Sequence, residues 1–268
     1  MKKKLGDATA TWRPGTGAGG FGYNEARKIL IQRLGAQRDA HVVVLYDIAG
    51  ATDAPRYLFE HLRDEHRRSH ERLSLVVFSN GHDGGDVDQA CALASLLRDH
   101  VRQLEVLIAH QALGTGTLMA FGADAVLLHP LSRVGGLRAS GMLAGFDHYR
   151  ALNDDLNMYV GAVGAKHLGH CSYQRAQLRA GLLAMIGGRV QPRLETTATA
   201  LDRLLTDNTC PLSQTLDRRR ARDLPWQVDQ LDADVEATLW ELHCAYEGPL
   251  GLTGVNAKPK AKVEPAAS

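Results

Sequence analysis

Short continuous hydrophobic runs alternate with segments of helical spacing in the first half of the chain. Four runs have the near-continuous apolar character of strands buried on both faces, at residues 41–46, 73–78, 104–109 and 125–128. Apolar residues at helical spacing predict helices around them, at 24–33, 53–66, 86–101 and 115–121. This alternation favours an α/β fold with parallel, right-handed β-α-β connections.

The hydrophobic pattern becomes less regular after Pro130 and predicts mainly helices. We expect helices at 142–160, 173–186, 196–205 and 213–223, the last one capped by Ser213. Small residues at 161–169 indicate a flexible segment before the second of these helices. A short edge strand at 225–228 and an amphipathic helix from Leu231 to Leu242 complete the predicted folded part.

The distribution of polar and apolar residues predicts a single domain with two unstructured ends. Residues 1–22 are polar and rich in glycine, which predicts a flexible N-terminal arm. Residues 23–250 carry the periodic pattern and form the predicted domain. Residues 251–268 lack apolar periodicity, so we expect a disordered tail.

Composition excludes several classes of partner. The formal net charge is +1, so we expect neither nucleic acid nor a membrane surface as a partner. The four cysteines are scattered and no C-x-x-C pair occurs, which predicts neither a zinc site nor a redox dithiol. No signal peptide or membrane-spanning run is visible, and we expect a cytoplasmic protein without a cofactor.

Two glycine-rich turns follow predicted strands, at the sheet edge where α/β proteins carry their sites. Paired glycines at Gly84 and Gly85 can present backbone N–H groups to an oxyanion, although an ordinary tight turn uses the same residues. The second turn, Gly114-Thr115-Gly116, has small residues where a nucleophile turn requires them. Thr115 offers a hydroxyl there, and helix capping is the alternative role for it.

Three histidines, His82, His110 and His129, also lie near predicted strand ends. Their spacing matches no known ligand pattern, so no metal site is predicted. For His110 we expect a structural hydrogen-bonding role.

The order and spacing of these turns resemble the serine dehydrogenase proteinase family of the Clp-protease/crotonase superfamily. Family members carry a T-P-G-G-like turn, then H-Y-A-M-S-G-G-T-L, then A-A-D-x-I-x-M-D-P. This chain has HDGG at 82–85, HQALGTGTL at 110–118 and GADAVLLHP at 122–130, and the run 110–130 aligns without a gap. A further similarity covers 196–246, where ARDLPWQV stands in place of an A-x-x-L-G-L-x-V pattern.

The resemblance implies a Clp-protease/crotonase-like β-α-β spiral with a C-terminal helical region. It also implies an oxyanion hole at Gly84 and Gly85, and a groove that includes His82, Asp83 and His110. Relatives assemble as trimers or hexamer-type rings, so the resemblance implies a homo-oligomer that binds a peptide or protein.

Three departures from the family occur at one site. The nucleophile serine falls on Gly114, the histidine base falls close to Leu137, and the proline of the first turn is Asp83, whose negative charge would oppose an oxyanion. We therefore expect a peptidase homologue without catalysis that acts as an oligomeric scaffold or a peptide- or protein-binding module. The alternatives are a hydrolase with Thr115 as a displaced nucleophile, and a crotonase-like acyl-thioester enzyme with Asp83 as acid or base.

Overall fold

The computed structural model describes residues 11–12, 25–46, 55–56, 58–59, 62, 70–80, 87–136, 162–188, 199, 215–224 and 226–250. Within them nine strands form one sheet: β1 (Thr11–Trp12), β2 (His41–Tyr46), β3 (His70–Asn80), β4 (Val101–Ile108), β5 (Gln111–Leu113), β6 (Ala125–Leu128), β7 (Arg133–Gly135), β8 (Thr215–Asp217) and β9 (Val228–Asp229). The helices with both ends described are α1 (Glu25–Arg38), α2 (Val87–His100), α3 (Thr115–Gly122), α4 (Ala162–Gly187), α5 (Arg218–Ala221) and α6 (Ala233–Leu250).

The sheet is parallel except at one edge. Its strand order is β8-β7-β5-β3-β4-β6-β9, with β2 also paired to β3 and β1 paired to β2. Strand β3 pairs with β2 and β4 over most of its length, and its last residues, Ser79 and Asn80, pair with β5. Only β7 and β8 run antiparallel among the described pairs. This arrangement confirms the predicted α/β class.

Helices cover both faces of the sheet, and each face has its own hydrophobic core. Successive side chains of a strand point to opposite faces, so Val77 and Phe78 belong to different layers. One core joins the sheet to α2, α3 and α4. The other joins it to α1 and α6, through residues such as Leu34, Leu239 and Leu242. The four hydrophobic runs were predicted as strands for this reason, and all four are confirmed.

Some predicted boundaries are wrong for identifiable reasons. Strand β4 begins at Val101 rather than Leu104, because Val101 pairs with His70 in the parallel ladder. Helix α4 begins at Ala162, so the flexible segment predicted at 161–169 is helical from its second residue. Glycine costs a helix only about 1 kcal/mol per residue, which the surrounding helix formers offset.

The helix predicted at 213–223 is mostly absent. Residues Thr215–Asp217 form β8, because Leu216 is buried and the segment pairs with β7. Only Arg218–Ala221 is helical, and Asp217 rather than Ser213 caps it by accepting a hydrogen bond from Arg220 N at 2.9 Å.

Within the arm expected at 1–22 the structure describes one element, β1. Its residues Thr11 and Trp12 pair in parallel with Val44 and Leu45 of β2. The last described helix ends at Leu250. The tail expected at 251–268 and the helix expected at 142–160 lie outside the described residues, as does all of 196–205 except the helical Thr199.

A buried ion pair holds the end of α1 to the sheet. Arg38 donates from Nε to Oε1 of Glu105 at 3.0 Å and from a terminal nitrogen to Oε2 at 2.6 Å. Ser74 Oγ also donates to Oε1 of Glu105, whose side chain is 1% exposed. A bidentate pair with a further hydrogen bond satisfies a carboxylate that could not otherwise remain charged in the core.

We expect Arg38→Ala to lower the free energy of unfolding by about 3–5 kcal/mol, because it leaves the carboxylate of Glu105 buried and unpaired. The matched control is Arg33→Ala, since Arg33 pairs with Glu241 at 3.1 Å while both side chains are at least half exposed. That variant should lose less than about 1 kcal/mol. Urea denaturation measures both values, and equal losses would contradict the structural role of the buried pair.

Candidate functional site

The turn between β5 and α3 has the sharp strand-to-helix geometry that nucleophile turns require. Gly114 is the N-cap of α3, with φ 59° and ψ −124°. Its N–H donates to the carbonyl of Gly135 at 3.0 Å, and its carbonyl accepts from Leu118 N at 3.2 Å. A positive φ is readily adopted only by glycine, so the backbone accounts for Gly114 at this position.

Thr115 is the first residue of α3 and is fully buried. The capping role considered for Thr115 is wrong, because Gly114 occupies the cap position and makes no side-chain cap hydrogen bond. Thr115 therefore enters the helix with its side chain inside the protein rather than at the sheet edge.

Thr117 holds the turn together, and the sequence analysis missed it. Its Oγ1 lies 2.5 Å from the carbonyl oxygen of Ala112, to which it donates, and it accepts from the N–H of Gly135 at 2.7 Å. One buried hydroxyl thus links β5, α3 and β7. The threonine of the H-Y-A-M-S-G-G-T-L pattern is the sequence signal that could have identified it.

Gly116 allows α3 to approach the sheet closely. A Cβ atom at this position would lie 3.0 Å from Cβ of Ser79, 3.2 Å from Cβ of Ala112 and 3.2 Å from Cγ1 of Val77. These neighbours belong to strands β3 and β5, which have little freedom to move. A larger residue at this position would therefore force small shifts of both strands.

Only part of the predicted site lies in the described part of the chain. The described candidates are Gly114, Thr115, His110 and His129. The candidates outside the described residues are His82, Asp83, Gly84, Gly85 and Leu137.

His110 does not share a face of the sheet with α3. Its ring packs against Phe78 and His243, in the layer under α6, whereas Gly116 packs against Val77 on the opposite layer. The backbone of His110 remains tied to β7, because its carbonyl accepts from Arg133 N at 2.6 Å. The described contacts of the ring are aromatic, and the hydrogen-bonding role expected for the His110 side chain stays a prediction.

Three histidines meet under α6, at the carboxyl ends of the parallel strands. His110 follows β4, His129 follows β6, and His243 projects from α6. The ring centroids of His110 and His243 are 5.1 Å apart, those of His243 and Trp240 are 5.3 Å apart, and those of Trp240 and His129 are 5.1 Å apart. We call these three histidines the histidine cluster. Sequence reasoning missed His243, because it lies 114 residues after His129 and 133 after His110, and no spacing rule links them.

The hydrogen bonds of the cluster indicate which ring nitrogens carry a proton. Nδ1 of His129 accepts from the N–H of Leu131 at 3.2 Å, so this nitrogen is unprotonated. Nδ1 of His243 lies 3.2 Å from the hydroxyl of Tyr46, and burial raises the pKa of that hydroxyl well above its ordinary value. The hydroxyl therefore stays protonated, and which of the two groups donates depends on the tautomer of His243. Nε2 of His243 lies 3.3 Å from Oε1 of Glu247 but makes no hydrogen bond with a described residue.

Burial and neighbouring positive charge keep the histidine cluster neutral. Desolvation, together with His110 and His129, lowers the pKa of His243 to about 4. Desolvation and Arg133 lower the pKa of His110, which Glu247 partly offsets. Desolvation also lowers the pKa of His129. Two imidazolium groups 5.1 Å apart would repel each other by about 3 kcal/mol at an effective dielectric constant of 20, so the folded state disfavours their joint protonation.

Neither metal coordination nor membrane insertion is indicated by the described residues. Among them, no group of three or more histidine, cysteine, aspartate or glutamate side chains is placed to hold a metal ion. No described helix combines the length and apolar character needed to cross a bilayer.

Comparisons with known proteins leave the family open. No protein-family model matches the sequence, and no curated protein matches it. Among solved structures, ThnE from S. clavuligerus is similar at 18% sequence identity, over 76% of this chain and 95% of that chain. The TM-score is 0.26, which is too low to support an argument about fold or function. What the geometry itself establishes is an α/β protein with a sharp glycine turn at the carboxyl edge of its sheet.

We expect Gly116→Ala to lower the free energy of unfolding by about 1–3 kcal/mol, since the new methyl group would press against β3 and β5. The control is Gly188→Ala, where the nearest atoms, Cδ and Nε of Arg98 at 3.1 and 3.3 Å, belong to one side chain rather than to two strands of the sheet. Thermal and urea denaturation compare the two variants. A smaller loss for Gly116→Ala than for the control would show that the close approach of α3 is unimportant.

Proposed function

We propose that this chain is a non-catalytic relative of the serine dehydrogenase proteinases, with the β-α-β spiral fold of the Clp-protease/crotonase superfamily. It acts as an oligomeric scaffold or as a module that binds peptides or proteins. The observation that carries the proposal is Gly114, because the position aligned with the family's nucleophile is a buried glycine without a reactive atom.

The surroundings of Gly114 support loss of catalysis within a retained turn. The positive φ of Gly114, the close packing of Gly116 and the hydrogen bonds of Thr117 together maintain a sharp turn into α3. Such a turn normally serves to present a nucleophile. A turn of this geometry without a nucleophile fits a binding or assembly role better than hydrolysis.

Two features count against Thr115 as a displaced nucleophile. Its side chain is fully buried, so a peptide bond has no access to the hydroxyl. A shift of one residue along a helix also rotates the side chain by about 100°, given 3.6 residues per turn. The acyl-thioester alternative depends on Asp83, which lies outside the described residues, and no described contact favours it.

We expect the purified protein to show no hydrolysis of fluorescent casein or of a mixed peptide library above the buffer blank. Gly114→Ser should also be inactive, because the position aligned with the base is Leu137. The control is Gly114→Ala, which imposes the same strain at positive φ, about 1–2 kcal/mol, without adding a hydroxyl. Activity in the serine variant alone would show that the remaining catalytic groups are intact.

Hydrolysis by the natural chain would refute the non-catalytic reading, and Thr115→Val would then test the displaced nucleophile. The binding function predicts saturable binding of unfolded, alkylated casein by fluorescence anisotropy. The scaffold function predicts a homo-oligomer in sedimentation velocity. A monomer that does not bind the casein probe would contradict both forms of the proposal.

A further inference from the structure

The second half of α6 closes over the carboxyl edge of the sheet through the histidine cluster. Trp240 and His243 pack between His129 and His110. The hydroxyl of Tyr46 on β2 is hydrogen-bonded to Nδ1 of His243. His243 is wholly buried and His129 is 8% exposed. The contact thus includes three imidazole rings, His110, His129 and His243, that can each accept a proton.

Protonation is incompatible with parts of this packing. A proton on Nδ1 of His129 would place it against the N–H of Leu131 and remove their hydrogen bond. A proton on His243 would bring a charge into a fully buried position within 5.1 Å of His110. In the packed state a charge on one ring makes protonation of the next ring less favourable, so uptake of several protons is incompatible with the packing.

Some charged groups around the cluster oppose protonation of its histidines, and others favour it. Arg133 opposes protonation of His110, and Arg218 opposes that of His129. Glu247 favours a charge on His110, and Glu236 favours a charge on His129. Oε1 of Glu247 also lies 3.3 Å from Nε2 of His243, where its charge favours protonation. Further titratable neighbours among the described residues are Tyr46 of β2, Cys244 and Tyr246 of α6, and Arg27 of α1, which stacks on Tyr246. For all three histidines the opposing influences, led by burial, outweigh the favouring ones.

Other contacts keep α6 in place at neutral pH. Arg27 donates from Nε to the carbonyl of Ala245 at 3.0 Å and lies 4.6 Å from the ring centroid of Tyr246. In the first half of α6, Val235 and Leu239 are buried in the core shared with α1. Leu242 and Tyr246 of the second half are buried in the same core, so separation of that half must break these contacts and those of Arg27. Val235 and Leu239 anchor the first half of the helix.

We propose that the second half of α6, from Trp240 to Glu247, is a pH-sensitive switch that stays packed while the histidine cluster is neutral and separates from the sheet when the cluster takes up protons. Separation exposes the carboxyl edge of β2, β4 and β6, including the rings of Tyr46 and His129. The switch acts on the opposite face of the sheet from the Gly114 turn, so it does not depend on the proposed function.

The direction of the pH effect follows from proton linkage. An exposed histidine has its ordinary pKa near 6.5, while His243 in the packed state has a pKa of about 4. Between these values the separated state binds more protons than the packed state, so acidification favours separation. Each linked proton changes the opening equilibrium up to about tenfold per pH unit in this window.

Hydrogen exchange tests the switch residue by residue. After correction for the intrinsic exchange rate, the opening equilibrium of amides 240–247 should increase at least about tenfold between pH 7.0 and pH 5.0. Amides 104–108 of β4 should change by less than about threefold. An equal increase in both segments would mean global unfolding and would overturn the proposal, as would the absence of any increase in α6.

A double variant, His129→Asn with His243→Asn, tests whether protonation of these histidines causes the pH response of α6. Asparagine can place an oxygen near the former Nδ1 position, so it retains the acceptor for Leu131 N and a hydrogen-bonding partner for Tyr46 but does not titrate. We expect its α6 response to fall below about threefold. The control is His100→Asn, because His100 bonds to Leu96 O within α2 and lies outside the cluster. A double variant that keeps the wild-type response would overturn the proposal.

The unmodified chain provides a second test that does not depend on the double variant folding. The ring signals of His243 in NMR should titrate at the same pH at which amides 240–247 lose protection. If His243 titrates while these amides stay protected, protonation does not open the helix and the proposal fails.

Discussion

Strand β3 is the element on which both cores and the candidate site depend. Its hydrogen bonds to β2 and β4 make it the centre of the parallel sheet, and its side chains alternate between the two cores. Its last residues, Ser79 and Asn80, pair with β5 and so position the turn at Gly114. Because a strand buried on both faces must be apolar almost throughout, reactive and polar groups are left to its carboxyl edge.

His110 links the two faces of that edge. Its ring belongs to the histidine cluster, while its carbonyl accepts from Arg133 N and so holds the start of β7. The other end of β7 supplies the carbonyl of Gly135 that receives the N–H of Gly114. A short series of backbone hydrogen bonds thus connects the glycine turn with the residue whose ring supports α6. The turn and the cluster share one backbone frame even though their side chains face different cores.

The sequence was sufficient for the strands of the four hydrophobic runs and for the glycine turn, because both are determined by local rules. Runs such as His41–Tyr46 are apolar throughout, and small residues around Gly114 satisfy a steric requirement. Strand β8 was misread as a helix because its partner, β7, lies some 80 residues earlier, and pairing rather than propensity decides its structure. His243 was missed for the same reason, since only tertiary packing brings α6 to the strand ends.

Packing alone does not account for the choice of histidine under α6. Tyr46, Phe78 and Trp240 already supply aromatic rings there, and a phenylalanine or leucine at position 243 could fill a similar volume without a polar atom to satisfy. The nitrogen Nε2 of His243 is buried without a hydrogen-bond partner among the described residues, and Oε1 of Glu247 lies 3.3 Å from it. A titratable ring in this buried position, beside two histidines whose pKa burial also lowers, is better explained by its response to protons than by its contribution to the core.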